Sequence, residues 1–424
     1  MTGVQTCALP ISLSIATFFR VLVIVVGLMT VLPSYRFLSR QRAEAGEYYA
    51  LLLFSIAGQC LMAASNDLIM VFIGLEISSI SSYVLAGYLR DDKQANESAL
   101  KYFLLGSFAT AFFLYGVALI YGSTRTVNLT AVRTAISGPD APAAIFLGLA
   151  AALMFVGLGF KVSAAPFQVW APDVYQGAPT PVTAFLSAGP KAAAFAVFLR
   201  IFMTAFEPIG GSWEPLVWVT ALLSMTIGNF AALLQANIKR MLAYSSIAHA
   251  GYVLVALTAR SDVGTAAAMF YLAAYAFMNV GAFAVVSHLS GRGERYQSVD
   301  DFAGLARKQP LTAAMLTIFM LSLIGVPLTG GFFGKFYIFK AALESHLVWL
   351  TVLGLINSAV AAYYYLRILV MMYMHEPGEA AQNAEPLTAG LRAALILPAV
   401  GTLALGMFPG WVLDFAGKSS ALLK

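Results

Sequence analysis

Six ionisable residues lie in strongly apolar stretches, where a charge is costly, and their types limit the chemistry open to them. Glu76 sits in LIMVFIGLEISSISSYVLAGY, nine residues past Asp67 and so about a dozen ångströms down a helix. Ser79 and Tyr83 follow at i+3 and i+7, which makes Glu76 the head of a polar stripe facing other helices. Lys161 closes the run AALMFVGLGFK, five residues before Pro166, and Lys191 follows Pro190 directly. His249 lies in MLAYSSIAHAGYVLVAL with Ser245 one turn earlier, and Lys335 comes just after the interruption Val326-Pro327-Leu328-Thr329-Gly330-Gly331. Lys101, near the start of NESALKYFLLGSF, is close enough to a helix end to reach the headgroups. One acid, one imidazole and several amines suit proton transfer. Lysine's proton affinity responds strongly to burial and to a neighbouring carboxylate. A thousandfold change in that affinity is worth about 4 kcal/mol. Moving one proton against roughly 180 mV costs about the same. A Glu76–Lys161 pair that forms and breaks is therefore sized to drive one proton per cycle. The competing reading is a set of snorkelling helix-end residues and ion pairs that merely hold helices together. It is strongest for Lys101 and weakest for Lys161 and Lys335, which lie mid-segment at helix breaks. An anion channel would need its lysines in a ring at one depth, and these are spread along the chain.

Such residues need a membrane-spanning scaffold, and the composition supplies one. Of 424 residues, 60% are hydrophobic and only 11% charged, against about 25% charged in a soluble domain. Mean hydropathy is +0.80. These values exclude a secreted disulfide scaffold, a soluble nucleotide-binding enzyme and a nucleic-acid binder. The net charge of +5 comes from Lys and Arg in short loops. Cys7 and Cys60 are too few and too far apart for a metal site, and there is no CxxC, P-loop or dinucleotide fingerprint. No cofactor is expected in this chain. No basic residue precedes Arg20, so the N-terminus lacks the basic region of a signal peptide.

The fold class is all-α, a polytopic bundle of about twelve spans. Apolar helices are predicted at 13–33, 48–64, 68–89, 100–121, 143–165, 180–206, 213–234, 241–259, 263–289, 310–344, 346–374 and 391–413. The fifth runs into Ala165-Pro166 and continues amphipathically to Tyr175. Pro166 strands the carbonyl of Val162, which puts loose backbone acceptors beside the Lys161 ammonium. The tenth breaks at Val326–Gly331 and resumes at Phe332. Such breaks survive in lipid only where protein or water satisfies the freed groups. In the polar loop before the tenth helix, Asp300-Asp301 followed by Phe302 and Leu305 predicts a short amphipathic helix. Glu76 to Lys161 is 85 residues and His249 to Lys335 is 86. Each half thus offers an ionisable group in a continuous helix, then a lysine in a broken one, as in transporters built from two repeats. The organisation read is an atypical segment at 1–12, a first helix at 13–33, repeats at 46–206 and 212–374, and a last helix at 391–413. Alternate loops carry eleven Lys and Arg on one side (among them Arg36, Arg90, Lys239 and Arg292). The other side carries five: Arg125, Arg133, Arg260, Lys418 and Lys424. The positive-inside bias puts the first side in the cytoplasm and both termini outside.

Several long motifs are recognisable: Gly74-Leu75-Glu76 with its serine-rich run, NESALKYFLLGSF, KVSAAPFQVWAPDVYQGAPTPV from Lys161, IKRMLAYSSIAHAGY from Ile238, and PLTGGFFGKFYIF from Pro327. From about Ser12 onward the chain resembles the antiporter-like membrane subunits of respiratory complex I, the proton-pumping NADH:quinone oxidoreductase. The stretches from Asn96 and Pro327 favour subunit N of the bacterial enzyme. The resemblance implies that Glu76 is a gating glutamate near a subunit interface and that Lys161 is the central lysine it modulates. It further implies that Lys191 and His249 carry the proton along a hydrated axis, that Lys335 passes it to the exit, and that Lys101 has a supporting role. NADH, FMN, iron–sulfur clusters and quinone would be held by partner subunits, and the partners would be the other membrane-arm subunits in a bacterial plasma membrane. The family usually has fourteen helices, two of them before the point where this chain starts, which suggests a shortened or wrongly joined N-terminus. The family commonly has histidine where this chain has Gln168, and glutamine cannot carry a proton at physiological pH. The alternatives are a subunit of a multisubunit cation/proton antiporter and a structural membrane-arm subunit whose ionisable residues are relics.

Overall fold

The computed structural model describes the backbone of residues 5–139 and 141–420, and side chains from Ile15 onward. The first four residues of the atypical 1–12 segment, and Lys424, lie outside the described residues. The elements are α1 (Gln5–Gln41), α2 (Ala45–Ala64), α3 (Leu68–Ala86), α4 (Lys93–Thr124), α5 (Leu129–Ser137), α6 (Ala144–Val162), α7 (Ala171–Gly177), α8 (Thr180–Arg200) and α9 (Gly210–Leu233). They continue with α10 (Ile238–Thr258), α11 (Asp262–Leu289), α12 (Leu305–Lys308), α13 (Pro310–Ile324), α14 (Gly330–Glu344), α15 (Val348–Met374), α16 (Glu379–Gln382), α17 (Ala389–Met407) and α18 (Gly410–Ser420). Among the described residues, eleven helical segments are long and apolar enough to cross a membrane. The remaining predicted span, the tenth, is the broken pair α13–α14.

Three helices form the centre. Nearly every residue of α8, α10 and α11 is buried, whereas the other spans each bury one face and leave the opposite one for lipid. A helix that is apolar all round belongs inside a bundle. Lys191 on α8 and His249 on α10 therefore sit in the most enclosed part of the molecule, at about 2% exposure each.

Both helix breaks occur where the sequence marks them, with local differences. The chain leaves α6 at Ser163 in the left-handed region (φ 60°), and leaves α13 at Gly325 likewise (φ 94°). Helix resumes at Gly330, two residues before the predicted Phe332, and the first-turn Gly331 N–H finds an acceptor in Ser322 Oγ at 3.1 Å. The expected amphipathic helix around Asp300 is instead two short turns. Val299–Phe302 is a 3-10 turn closed by a reciprocal Ser298/Asp301 capping box, and Gly304 at φ 63° separates it from α12. Phe302 and Leu305 are nonetheless both fully buried.

Matching contacts recur at a spacing of 170 residues. An isolated antiparallel bridge joins Asp67 to Asn128, and another joins Asn237 to Ser298 (237 − 67 and 298 − 128). Asp67 and Asn237 cap the helices that follow, α3 and α10, through side-chain oxygens. A Cβ on Gly58 would lie 2.6 Å from Gly74 O and 2.5 Å from Ser78 N. One on Gly228 would lie 2.8 Å from Tyr244 O and 2.6 Å from Ala248 N, the same register 170 residues on. Glycine at both places lets α2 press on α3 and α9 press on α10.

A buried ion pair ties the halves together. Lys239 Nζ donates to Glu294 Oε2 at 2.6 Å and to Ala178 O at 2.7 Å. Glu294 Oε1 accepts from both Thr180 N and Thr180 Oγ1 at 2.7 Å. The glutamate thereby satisfies free amide and hydroxyl donors at the start of α8.

Candidate functional site

Lys161, on the last turn of α6, turns towards α3. Its ammonium donates to Ser79 Oγ at 2.7 Å and Tyr83 OH at 3.1 Å, the two stripe positions below Glu76. The rings of Tyr83, Tyr102 and Phe160 surround it at 5.2–5.9 Å. Tyr102 is in turn stacked on Trp170 at 4.4 Å and 6°, and the Trp170 indole N–H donates to Phe160 O at 2.9 Å. The expectation that Lys161 would use carbonyls freed by Pro166 is therefore corrected. The side chain leaves the helix on the α3 side, and the indole takes the Phe160 carbonyl. Glu76 makes no ion pair with Lys161 here, and its Oε1 is buried without a hydrogen-bond partner. Ser163 Oγ and Gln168 Oε1, at the same break, are buried and unpartnered as well.

Lys191 donates to Ser246 O at 2.9 Å and makes a second, short hydrogen bond to Ser246 Oγ. Tyr275 presents its ring 6.0 Å from the ammonium. His249 is one turn further along α10, held between two phenols. Its Nδ1 lies 2.6 Å from Tyr271 OH and its Nε2 lies 3.1 Å from Tyr365 OH. Tyr365 OH is also bonded to Ser245 Oγ. An imidazole with a hydroxyl on each nitrogen can accept a proton on one side and release it on the other, because each hydroxyl both donates and accepts. Beyond His249, the Tyr252 ring stands 5.7 Å away and the Lys335 ammonium lies 4.9 Å from that same ring. Lys335 donates to Leu323 O (3.0 Å), Ile324 O (2.9 Å) and Ser358 Oγ (2.8 Å). The carbonyls freed by a helix break do bind a lysine, but the lysine is the one in the second half.

The structure thus brings Lys191, His249 and Lys335 into one buried polar line. Lys161 has a different set of partners, Ser79 and Tyr83, and is flanked by Tyr102 of the Tyr102–Trp170 stack. Lys101 is apart from all of these. Its side chain is 41% exposed and pairs with Glu97 and Asp173, both at 2.7 Å. Sequence reasoning missed the other half of this cluster. Asp173 on α7 also accepts from Arg240 at 2.6 Å, and Arg240 reaches Gln176 at 3.1 Å. A polar cavity of about 190 Å³ opens among Gln94, Glu97, Lys101, Asp173 and Arg240. The carboxylate in PDVYQG and the basic pair Lys239-Arg240 were visible, but nothing in their spacing links them across 67 residues. The phenols Tyr271 and Tyr365 were missed for the same reason.

The region 65–361 matches the transmembrane family model described as NADH:quinone oxidoreductase/Mrp antiporter. The chain belongs to that family. It is 80% identical over 410 residues to NADH-quinone oxidoreductase subunit N 1 of Solibacter usitatus, covering 96% of this chain and 84% of that protein. Among solved structures it is similar to a chain of respiratory complex I from Thermus thermophilus, at 39% identity and a TM-score of 0.81, covering 95% of this chain and 86% of the other. A chain of the Mrp complex from Dietzia sp. shares the fold, with a TM-score of 0.84 at 23% identity, covering 96% and 83%.

Proposed function

We infer that this membrane protein is the proton-translocating subunit N of NADH:quinone oxidoreductase, working in the membrane arm beside other subunits of that complex. The observation that carries the relay is the buried line Lys191–Ser246, Tyr271–His249–Tyr365, Tyr252–Lys335, in which ionisable groups alternate with hydroxyls and aromatic faces. Lys161 stores a proton under the influence of Glu76, Lys191 and His249 pass protons on, and Lys335 releases them. Lys101 sits at the cytoplasmic mouth. The 170-residue register of bridges and glycine contacts supports two repeats of opposite orientation, since α3 and α10 start an odd number of spans apart. Loop charge places both termini on the outer side of a bacterial plasma membrane. NADH, FMN, iron–sulfur clusters and quinone belong to partner subunits, so the chain alone moves protons and transfers no electrons.

The test is a C-terminally tagged chain purified in mild detergent from its host membranes. Co-purifying NADH-dependent quinone reduction that acidifies inside-out vesicles supports this reading. A small particle without flavin or iron–sulfur signals, but with cation/proton exchange, would replace it with the antiporter.

A further inference from the structure

The relay joins Lys191, His249 and Lys335, but a second set of buried contacts joins the two helix breaks without passing through it. These contacts run along α9, which carries no ionisable residue after Glu214 and so has no group there that could store a proton.

At the first break the chain leaves α6 through the left-handed Ser163, so the amide of Ala165 is past the reach of the helix's own carbonyls. It donates instead to Ser224 Oγ on α9 at 2.8 Å, and that hydroxyl donates onward to Thr220 O at 2.6 Å. At the second break, Lys335 donates to Ser358 Oγ on α15 and faces the ring of Tyr252 on α10. Asn229, fully buried on α9, holds the neighbours of that lysine on both helices. Its Nδ2 donates to the main-chain carbonyl of Asn357, the residue before Ser358, at 3.1 Å, and lies 3.4 Å from Tyr252 OH. Its Oδ1 accepts from Tyr364 OH at 3.0 Å. A buried amide bonded at both ends fixes α15 and α10 against α9. Ser224 and Asn229 are about 7.5 Å apart along the helix axis and about 140° apart around it. The helix α9 thus stands between the first break and α15. Nor can it slide on α10. A Cβ on Gly251 would lie 2.8 Å from Met225 N and 2.9 Å from Ala221 O, and Gly228 presses as closely on Tyr244 and Ala248. Helices in backbone contact at two points transmit displacement as one body.

We propose that α9 is a strut joining the two breaks, with Ser224 and Asn229 as its positioning residues. Through it the surroundings of Lys335 and of Lys161 shift together, by a route that carries no proton. When Lys335 is emptied, Ser358 loses its ammonium partner and the stretch of α15 around Asn357 is released. Asn229 carries that displacement into α9, and Ser224 delivers it to Ala165, four residues from Lys161. The state of one lysine thereby biases the other through a single element that both breaks hold. The inference rests on the relay reading above.

The test uses intact complex in inside-out membrane vesicles and reads protons translocated per NADH oxidised beside the rate of NADH oxidation. Ser224→Ala and Asn229→Leu cut the strut at its two ends, and Lys335→Ala checks the relay. Each single variant is expected to assemble, to keep NADH oxidation within about twofold of the parent, and to move fewer protons per NADH. The double variant should do no worse than the worse single, because a link in series is broken by either cut. Two independent packing defects would instead add, and they would lower the amount of complex while leaving the ratio unchanged in what remains. A normal ratio in both singles, or additive losses in the double, would overturn the strut and leave the relay standing. Full pumping by an assembled Lys335→Ala complex would overturn the relay itself. Should Asn229→Leu fail to assemble, Tyr364→Phe takes one hydrogen bond from Asn229, keeps the ring, and is decided by the same readings.

Discussion

The two break-associated lysines are held in opposite ways. Lys161 lies before its break, on the last turn of α6, and bonds only to hydroxyls, those of Ser79 and Tyr83 on α3. Lys335 lies after its break, on α14, and reaches back to two main-chain carbonyls at the end of α13 with one hydroxyl beside them. A hydroxyl can turn from acceptor to donor, so Ser79 and Tyr83 satisfy Lys161 in either charge state. A carbonyl only accepts, and the end of a helix adds its own partial negative charge. A neutral amine at Lys335 could still donate to both carbonyls and accept from Ser358, but it would lose the ammonium's attraction to the helix end. Lys161 is thus built to be switched by a neighbour, and Lys335 to hold a proton until something moves the carbonyls.

The comparison is tested most severely by deleting each amine. Lys161→Ala and Lys335→Ala should each lower proton pumping and coupled quinone reduction by roughly tenfold or more while the complex still assembles, measured in vesicles with subunit content checked on native gels. Normal pumping by either variant removes that lysine from the relay. The next effect concerns the ligands. Ser79→Ala combined with Tyr83→Phe strips Lys161 of both partners and should cost about fivefold in rate. Ser358→Ala leaves Lys335 its two carbonyls and should cost about twofold at most. Equal losses in the two cases would erase the distinction.

The backbone at the two breaks offers a third test. Gly325 holds φ 94°, and a Cβ there would meet the Lys335 side chain at 3.2 Å. Gly325→Ala should therefore destabilise the subunit by about 1–2 kcal/mol, read as faster amide exchange in α13 and α14. Ser163→Gly, at φ 60°, should be neutral or slightly stabilising. A smaller effect is expected from Glu76→Gln, which removes a modulator and leaves the carrier, with a roughly twofold to threefold loss of rate. A loss equal to that of Lys161→Ala would make Glu76 a carrier in its own right.

The smallest effect lies outside the membrane. A hydrogen bond from Arg36 holds the Glu385 carboxyl below the usual glutamate range. Its contribution is thus present above the ordinary glutamate pKa and is lost as pH falls through the depressed value. Both side chains are partly exposed, so Glu385→Gln should cost only about 0.5 kcal/mol near neutrality, with the difference from the parent vanishing in acid melts.

Apolar runs, two prolines and a pair of glycines were enough to place the spans and both breaks, because membrane burial leaves helices few other options. The lysines and His249 stood out because nothing else explains charge in those runs. Side-chain direction at a break was not legible. Whether Lys161 turns to its own loosened carbonyls or to α3 depends on where Trp170 packs, and that is a tertiary fact. Asp173, Tyr271 and Tyr365 look ordinary in the sequence, and they gain a role only when α7, α11 and α15 are brought against α10. The 170-residue register was hidden for a different reason. It holds as far as the two bridges and has slipped by the lysines (335 − 161 = 174), so they do not align on it.

The Lys239–Glu294 pair also sets a schedule for making the protein. Thr180, whose amide and hydroxyl Glu294 satisfies, leaves the ribosome 114 residues before its partner, and Lys239 leaves 55 residues before. Until the loop after α11 has been synthesised, the start of α8 carries unmet donors and a lysine without its counter-ion. Chains arrested before Glu294 should therefore be recognised as unfinished by membrane quality control, even with nine spans already inserted. One loop glutamate, Glu294, thus closes contacts that the first half leaves open.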